Sequence, residues 1–198
     1  MTTNTPSRFR HALPLCMMLA LLGAGMPAFA APAAANAGQV ADAASPLGLT
    51  LGRATLADVR TKLGAQTHLA DEGTNAYSNG PMLRTDGAGL GVDGLSNLVL
   101  IFDRNHVLAG VLMTLPKAPT DMMRRFAGKY KLVDNQVDTF LDKGYARYSR
   151  GDSVIEIDAP HLSFTMEVRY LTRQLQADFQ RQSTEEATRK RHEQTEKF

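Results

Sequence analysis

Apolar and polar positions change period several times along this 198-residue chain, and each change marks an element. Leu56, Val59 and Leu63 fall at i, i+3 and i+7, one face of an α-helix. Thr55 stands where an N-cap belongs, and Asp58 three residues on completes a capping-box-like pair. Gly64 follows the last apolar residue, the usual place of a left-handed C′ glycine. The spacing therefore predicts a short helix from Thr55 to Leu63, Gly64 at positive φ, and Arg60 and Lys62 on its wet face.

The period then shortens. Thr67 to Thr74 and Asn75 to Ser78 read as short polar strands, and Asn79-Gly80-Pro81 reads as a turn. Asn97 to Asp103 (NLVLIFD) and His106 to Leu115 (HVLAGVLMTL) are the strongest strands, joined by a tight hairpin at Arg104-Asn105. Leu98, Leu100 and Phe102 alternate with Val99 and Ile101, so both faces of this hairpin are apolar and each needs a cover.

The order recurs. Pro119-Thr120-Asp121 opens a second helix through Tyr130, with Met123, Phe126 and Tyr130 at the spacing of the first. Lys131 to Phe140, Gly144 to Ser149, Val154 to Asp158 and His161 to Leu171 are strand-like, with turns at Gly151-Asp152 and Ala159-Pro160. In the last of these, Leu162, Phe164, Met166, Val168 and Tyr170 alternate with His161, Ser163, Thr165, Glu167 and Arg169. That is a one-sided strand, apolar toward the helix. From Thr172 to Phe198 the chain is charged, with Leu171, Leu175 and Phe179 at helical spacing, so a helix docks by its first turns and continues solvated. The expected fold class is α+β: two tandem helix-plus-antiparallel-sheet repeats, residues 47–116 and 117–171, followed by a C-terminal helix over 172–198. The pattern leaves open whether the two sheets join.

The N-terminal pattern is of another kind. Arg8, Arg10 and His11 precede an apolar run from Ala12 to Met26, followed by Pro27-Ala28-Phe29-Ala30. A positive start, a short apolar run and an A-x-A exit predict a signal peptide over 1–30, cleaved after Ala30, and a periplasmic or secreted address. The run is shorter than the roughly 20 residues a spanning helix needs. Residues 31–46 then form an Ala-rich tail expected not to pack. The one cysteine, Cys16, falls inside the signal, which would leave the exported chain without a thiolate nucleophile, a thiolate metal site or a disulfide. Net charge is +2, and no basic stripe interleaved with aromatics appears before the tail, which argues against nucleic acid as partner. The terminal Phe198 follows no alternating strand, so an outer-membrane barrel signal is not expected.

Gly52, Thr55, Val59, Leu63 and Gly64 together resemble the Gly-x-Thr start and Val…Leu-Gly helix of the domain shared by the SmpA/BamE outer-membrane assembly lipoproteins and the β-lactamase inhibitory protein. One extra residue separates Gly52 from Thr55. The likeness spans roughly Leu47 to Leu171, and the chain lacks the lipid-bearing Cys of the first group and the disulfides of the second. The resemblance implies a non-enzymatic, extracytoplasmic binding or scaffolding module. It carries over no functional residue, because the matching positions are cap, helix face and C′ glycine.

Candidate chemistry is sparse. Gly89 to Gly94 spells G-x-G-x-x-G, but a loop precedes it and a strand follows, where a phosphate cradle needs a strand and then a helix N-terminus. His68, His106, His161 and His192 form no ligand pair by spacing, so neither metal nor cofactor is expected. Asp158, His161 and Ser163 lie close in sequence, yet the members of a catalytic triad converge from separate elements. The favoured expectation is a non-enzymatic protein that binds or scaffolds another protein or an envelope component. The alternative is a small envelope hydrolase using surface carboxylates or His161. Alternate residues of the last strands put Glu156, Asp158, His161, Glu167 and Arg169 on one polar face. Tyr145 and Arg147 join it if 144–149 pairs alongside in register. These seven are the candidate binding residues, since aromatic and Arg side chains are typical interface material.

Overall fold

The structure, a computed structural model, describes residues 42–195. The expected signal peptide, Cys16, most of the Ala-rich tail and Phe198 lie outside the described residues. After a 3-10 turn at Pro46–Gly48 the order is α1 (Leu56–Gly64), β1 (Ala70–Thr74), β2 (Asn79–Thr85), β3 (Asn97–Asp103) and β4 (Leu108–Pro116). It continues with α2 (Pro119–Phe126), β5 (Lys131–Asn135), β6 (Gly144–Arg150), β7 (Ser153–Ala159), β8 (Thr165–Thr172) and α3 (Arg173–Thr195). The strands make a single antiparallel sheet in the order β1-β2-β3-β4-β8-β7-β6-β5. The two strand groups therefore join edge to edge, through an unbroken β4–β8 ladder from Gly110↔Leu171 to Pro116↔Thr165.

One face of the sheet carries the main core. Leu83, Leu98, Leu100, Phe102, Val111, Ile155, Ile157 and Val168 are fully or almost fully buried there, against Val59 and Leu63 of α1 and Phe126 of α2. Phe126 is the hub of an aromatic group, edge-on to Tyr130 at 5.0 Å, Tyr148 at 5.4 Å and Tyr170 at 6.1 Å between centroids. Burial raises the pKa of the Tyr148 and Tyr170 phenols, and the Tyr130 hydroxyl adds to the effect at Tyr170.

Helix α1 starts as its sequence dictates. Thr55 Oγ1 accepts the Asp58 N–H at 3.2 Å and Asp58 Oδ2 accepts the Thr55 N–H at 2.8 Å. The Thr55 N–H, and then its hydroxyl, hold the Asp58 carboxyl below its ordinary range. Its end corrects the expectation for Gly64. That glycine is the last helical residue and is not at positive φ, because Ala65 continues in the right-handed region at φ −74°. The chain leaves the helix with the Gln66 and Thr67 N–H groups sharing the Leu63 carbonyl, at 2.8 and 2.9 Å.

Other expected boundaries move for similar local reasons. The reversal expected at Asn79-Gly80-Pro81 sits earlier, at 75–78, where Asn75 Oδ1 accepts the Tyr77 and Ser78 N–H groups at 2.9 and 3.0 Å. Gly80 instead lies within β2, packed so closely on β3 that a Cβ there would lie 2.2 Å from the Phe102 and Asp103 carbonyl oxygens. Pro81, which has no N–H to donate, falls where the β2–β3 register shifts. Helix α2 stops at Phe126 rather than Tyr130, and Gly128 at φ +77° turns the chain into β5. His106 does not begin a strand but sits at φ +61° in the β3–β4 turn, with Asp103 Oδ1 accepting the Asn105 and Val107 N–H groups.

The last strand starts at Thr165, not His161. Met166, Val168 and Tyr170 face the core as the alternation requires, whereas Leu162 and Phe164 are 93% and 96% exposed. Ala159-Pro160 ends β7, and the next residues are used as loop before pairing resumes. At the N-terminal side the packed chain begins before Leu47. Ala43 and Ala44 are buried, and the Ala44 N–H donates to Ser153 Oγ at 3.0 Å, so these two tail residues belong to the fold.

Helix α3 covers part of the opposite sheet face. Leu175 is 5% exposed, against Ile101 and Ala109 and beside Leu112 and Leu171. Gly110 makes this approach possible, since a Cβ there would stand 2.9 Å from Leu175 Cδ2. The second apolar face of the β3–β4 hairpin thus finds its cover in the C-terminal helix. No helix among the described residues is long and apolar enough to cross a membrane.

Candidate functional site

The outer face of β6, β7 and β8 is where alternation and register bring polar side chains together. Tyr145 stands opposite Asp158, Arg147 opposite Glu156, Glu156 opposite Arg169, and Asp158 opposite Glu167. Six of the seven candidate residues therefore share one face. His161 does not, for it lies in the β7–β8 loop, where its backbone carbonyl accepts from Lys117 Nζ at 3.2 Å.

Glu156 is the centre of the group and the most enclosed of them, at 7% exposure. Its Oε1 accepts from Tyr145 Oη at 2.7 Å, from Arg147 Nε at 3.2 Å and from Gln176 Nε2 of α3 at 3.3 Å. Arg147 Nε also donates to Tyr145 Oη at 2.8 Å, and its guanidinium lies 5.4 Å from the Tyr145 ring centroid. Arg169 spans three carboxylates: Glu167 at 2.8 Å, Asp158 at 3.0 Å and Glu156 at 3.7 Å. Burial, and then the Glu156 carboxylate, push the Tyr145 phenol up to about 12. For Arg147 and Arg169 burial works against the charge, but the hydrogen bonds and neighbouring negative groups outweigh it and raise both. The groups of the cluster thus bond one another, and no buried side-chain N or O among the described residues lacks a partner.

Beside this cluster the face turns apolar. Ile101, Leu112 and Leu171 of the sheet, Leu175 and Phe179 of α3, and Tyr77 of the β1–β2 turn wall a groove of about 570 Å³ whose polar end is Tyr145, Arg147, Glu156 and Arg169. Phe179 is half exposed at its edge and meets Tyr77 edge-on, at 5.0 Å between centroids. A groove of this size, with an apolar wall and a few polar groups at one end, has the composition of small-ligand and peptide-anchor sites.

Compared with known proteins, the chain matches no family model, no curated protein and no solved structure.

The site's geometry departs from the sequence reading at one point. The polar face is not open across its width, because Gln176 reaches down from α3 to Glu156 and the helix roofs one side. Gln176, Tyr77, Leu112 and Phe179 were missed as site residues. The doubly apolar hairpin and the Leu171, Leu175, Phe179 spacing signalled that a helix covers the outer face, but not that a groove stays open beneath it. The remaining candidates stand apart. The Gly89–Gly94 stretch lies in the β2–β3 loop, with Gly89, Gly91 and Gly94 all at positive φ and no helix N-terminus behind it. No three His, Cys, Asp or Glu side chains among the described residues gather as a metal site.

Proposed function

We propose that this is an exported, non-enzymatic binding protein that recognises a protein or envelope component through the groove between α3 and the outer sheet face. The observation that carries the reading is the groove itself. It is open, apolar along one wall, and closed at its polar end by side chains already committed to one another. Tyr145 Oη and Glu156 Oε1 bond each other, and Arg147 and Gln176 donate to them as well. The face is built to hold a shape. The export signal expected from Arg8 to Ala30 supplies the address.

The same proposal takes residues 47–116 and 117–171 as tandem repeats related to the SmpA/BamE and β-lactamase inhibitory protein domain. In support, each begins with a short helix, continues with four antiparallel strands, and ends on the strand that joins its counterpart at the β4–β8 ladder.

The test is capture from cell-envelope extract by immobilised wild-type protein and by Leu112→Arg, which places a charge in the groove wall. A component retained by the wild type and lost from the variant supports the reading. Equal retention by both, at equal folded content, sinks it.

A further inference from the structure

The end of the sheet away from α3's first turn carries a second feature, unrelated to the groove. Two loops meet there, β5–β6 (residues 136–143) and β7–β8 (residues 160–164). They are neighbours because β6 and β7 pair from Gly144↔Ala159 onward. They carry Phe140, Leu162 and Phe164, exposed at 93%, 93% and 96%, the last immediately before β8. Leu141, next to Phe140, is 46% exposed. None of the four belongs to either apolar cluster of the fold, and no aromatic contact among the described residues holds the two Phe rings. Single exposed apolar residues are ordinary on a surface, but three large side chains held almost wholly in water on adjoining loops are not.

The carboxylates hold local hydrogen bonds: the exposed Asp138 accepts the Phe140 and Leu141 N–H groups at Oδ1, at 2.9 and 3.1 Å, and Asp142 accepts from Thr120 Oγ1 at 2.8 Å. A lysine stands at the base of each loop. Lys143 makes no side-chain hydrogen bond or ion pair among the described residues, and the Lys117 ammonium donates to the His161 carbonyl at 3.2 Å. The Asp138 bonds also hold the β5–β6 tip in shape, so its side chains are presented rather than loosely displayed.

We infer that this end of the sheet docks on a lipid surface carrying anionic headgroups, with Phe140, Leu162 and Phe164 inserted at the headgroup–acyl boundary and Lys117 and Lys143 at the phosphates. A protein partner needs a contiguous, complementary patch of roughly 800 Å². Four exposed apolar side chains on two loops, against the about 20 to 30 residues a side of a stable interface, do not offer one. A fluid bilayer accepts any set of projecting apolar side chains, and adjacent cations add attraction to anionic lipid. The export expected from the N-terminal pattern puts such a surface within reach.

The chain has no tryptophan, so a single introduced indole reports on one place. Phe140→Trp and Phe164→Trp are made in the full chain. Arg104→Trp, in the β3–β4 turn at the opposite end of the sheet, is the control. Each is titrated with vesicles of phosphatidylcholine containing about one-third phosphatidylglycerol. Insertion at the headgroup–acyl boundary shifts the emission of both tip indoles to the blue and lets brominated lipid quench it, leaving the control unchanged. Lys117→Glu with Lys143→Glu lowers vesicle affinity at least tenfold. Binding through the apolar N-terminal run alone would leave the tip indoles unshifted and overturn the inference. So would an equal shift at Arg104→Trp. A lipid-free blue shift that grows with protein concentration would assign the tips to a second copy of the chain and also overturn it.

Discussion

Replacing Glu156 by Gln keeps the shape of the side chain and one acceptor oxygen but removes the charge that Tyr145, Arg147 and Arg169 converge on. A hydrogen bond to a charged acceptor contributes about 1.5–3 kcal/mol and a neutral one about 0.5–1.5, so each well-formed bond loses about 1 kcal/mol. Two bonds qualify, from Tyr145 Oη at 2.7 Å and Arg147 Nε at 3.2 Å. The Arg169 contact is longer, at 3.7 Å, and Arg169 keeps Asp158 and Glu167. The expected loss is therefore about 2 kcal/mol, read as a lower urea midpoint at unchanged slope. For a chain of this size that is a fall in Tm of about 4–8 °C. Glu156→Ala should cost more, about 3 kcal/mol, because the Arg147 guanidinium then has no carboxylate beside it. Partial exposure of both guanidinium groups keeps the value from rising further. An independent reading comes from the Tyr145 phenol. Its ionisation lies near 12 in the wild type, first from burial and then from Glu156. In Glu156→Gln the burial remains and the negative charge goes, so the value falls but stays above the ordinary 10. A phenol with a raised folded-state pKa contributes stability that is present below 10 and lost as pH climbs through about 12. Wild type should thus lose stability over that window, and Glu156→Gln should lose less. A loss below about 0.5 kcal/mol with Tyr145 ionisation unchanged would refute Glu156 as the organising group.

Leu175→Ala empties the contact that seats α3 on Ile101 and Ala109 and should cost about 2–3 kcal/mol by denaturant titration, with faster amide exchange in the first turns of the helix. Gly64→Ala should stabilise by about 0.5 kcal/mol, since the position is helical and an added Cβ meets nothing closer than Leu69 Cδ1 at 4.0 Å; a lower Tm would place it in the left-handed region after all. Gly80→Ala should instead be severely destabilising, because its Cβ has no room beside the Phe102 and Asp103 backbone; an unchanged Tm would mean β2 and β3 can part at no cost. The capping carboxylate of Asp58 has a lowered folded-state pKa, so its contribution is present above the ordinary carboxylate range and fades as pH falls through the folded value; Asp58→Asn should flatten that part of the acid unfolding curve.

The sequence by itself determined what local physics decides. Thr55 and Asp58 define the start of α1 because a cap needs only side chains three residues apart. Asn97–Asp103 is a strand as read, because a run of β-branched and large apolar residues has no other compact solution. Alternation assigned Glu156, Asp158, Glu167 and Arg169 to one face, and register then added Tyr145 and Arg147. Tertiary structure decided the rest. Gly80 looked like a turn residue, but its missing Cβ serves the close approach of β3, a contact more than 20 residues away in sequence. Leu162 and Phe164 obeyed the alternation of β8, yet pairing with β4 begins only at Thr165, so a pattern valid inside the ladder says nothing of residues just outside it. The join of the two strand groups through β4 and β8 could not be read from either strand, because both carry apolar residues on the face that needs covering and hydrogen-bonding edges look alike in sequence. The groove follows from that join. It exists because α3 seats on Gly110 and Leu112 of β4 while Gln176 reaches β7, and the distance between those strands is set by β8, which lies between them.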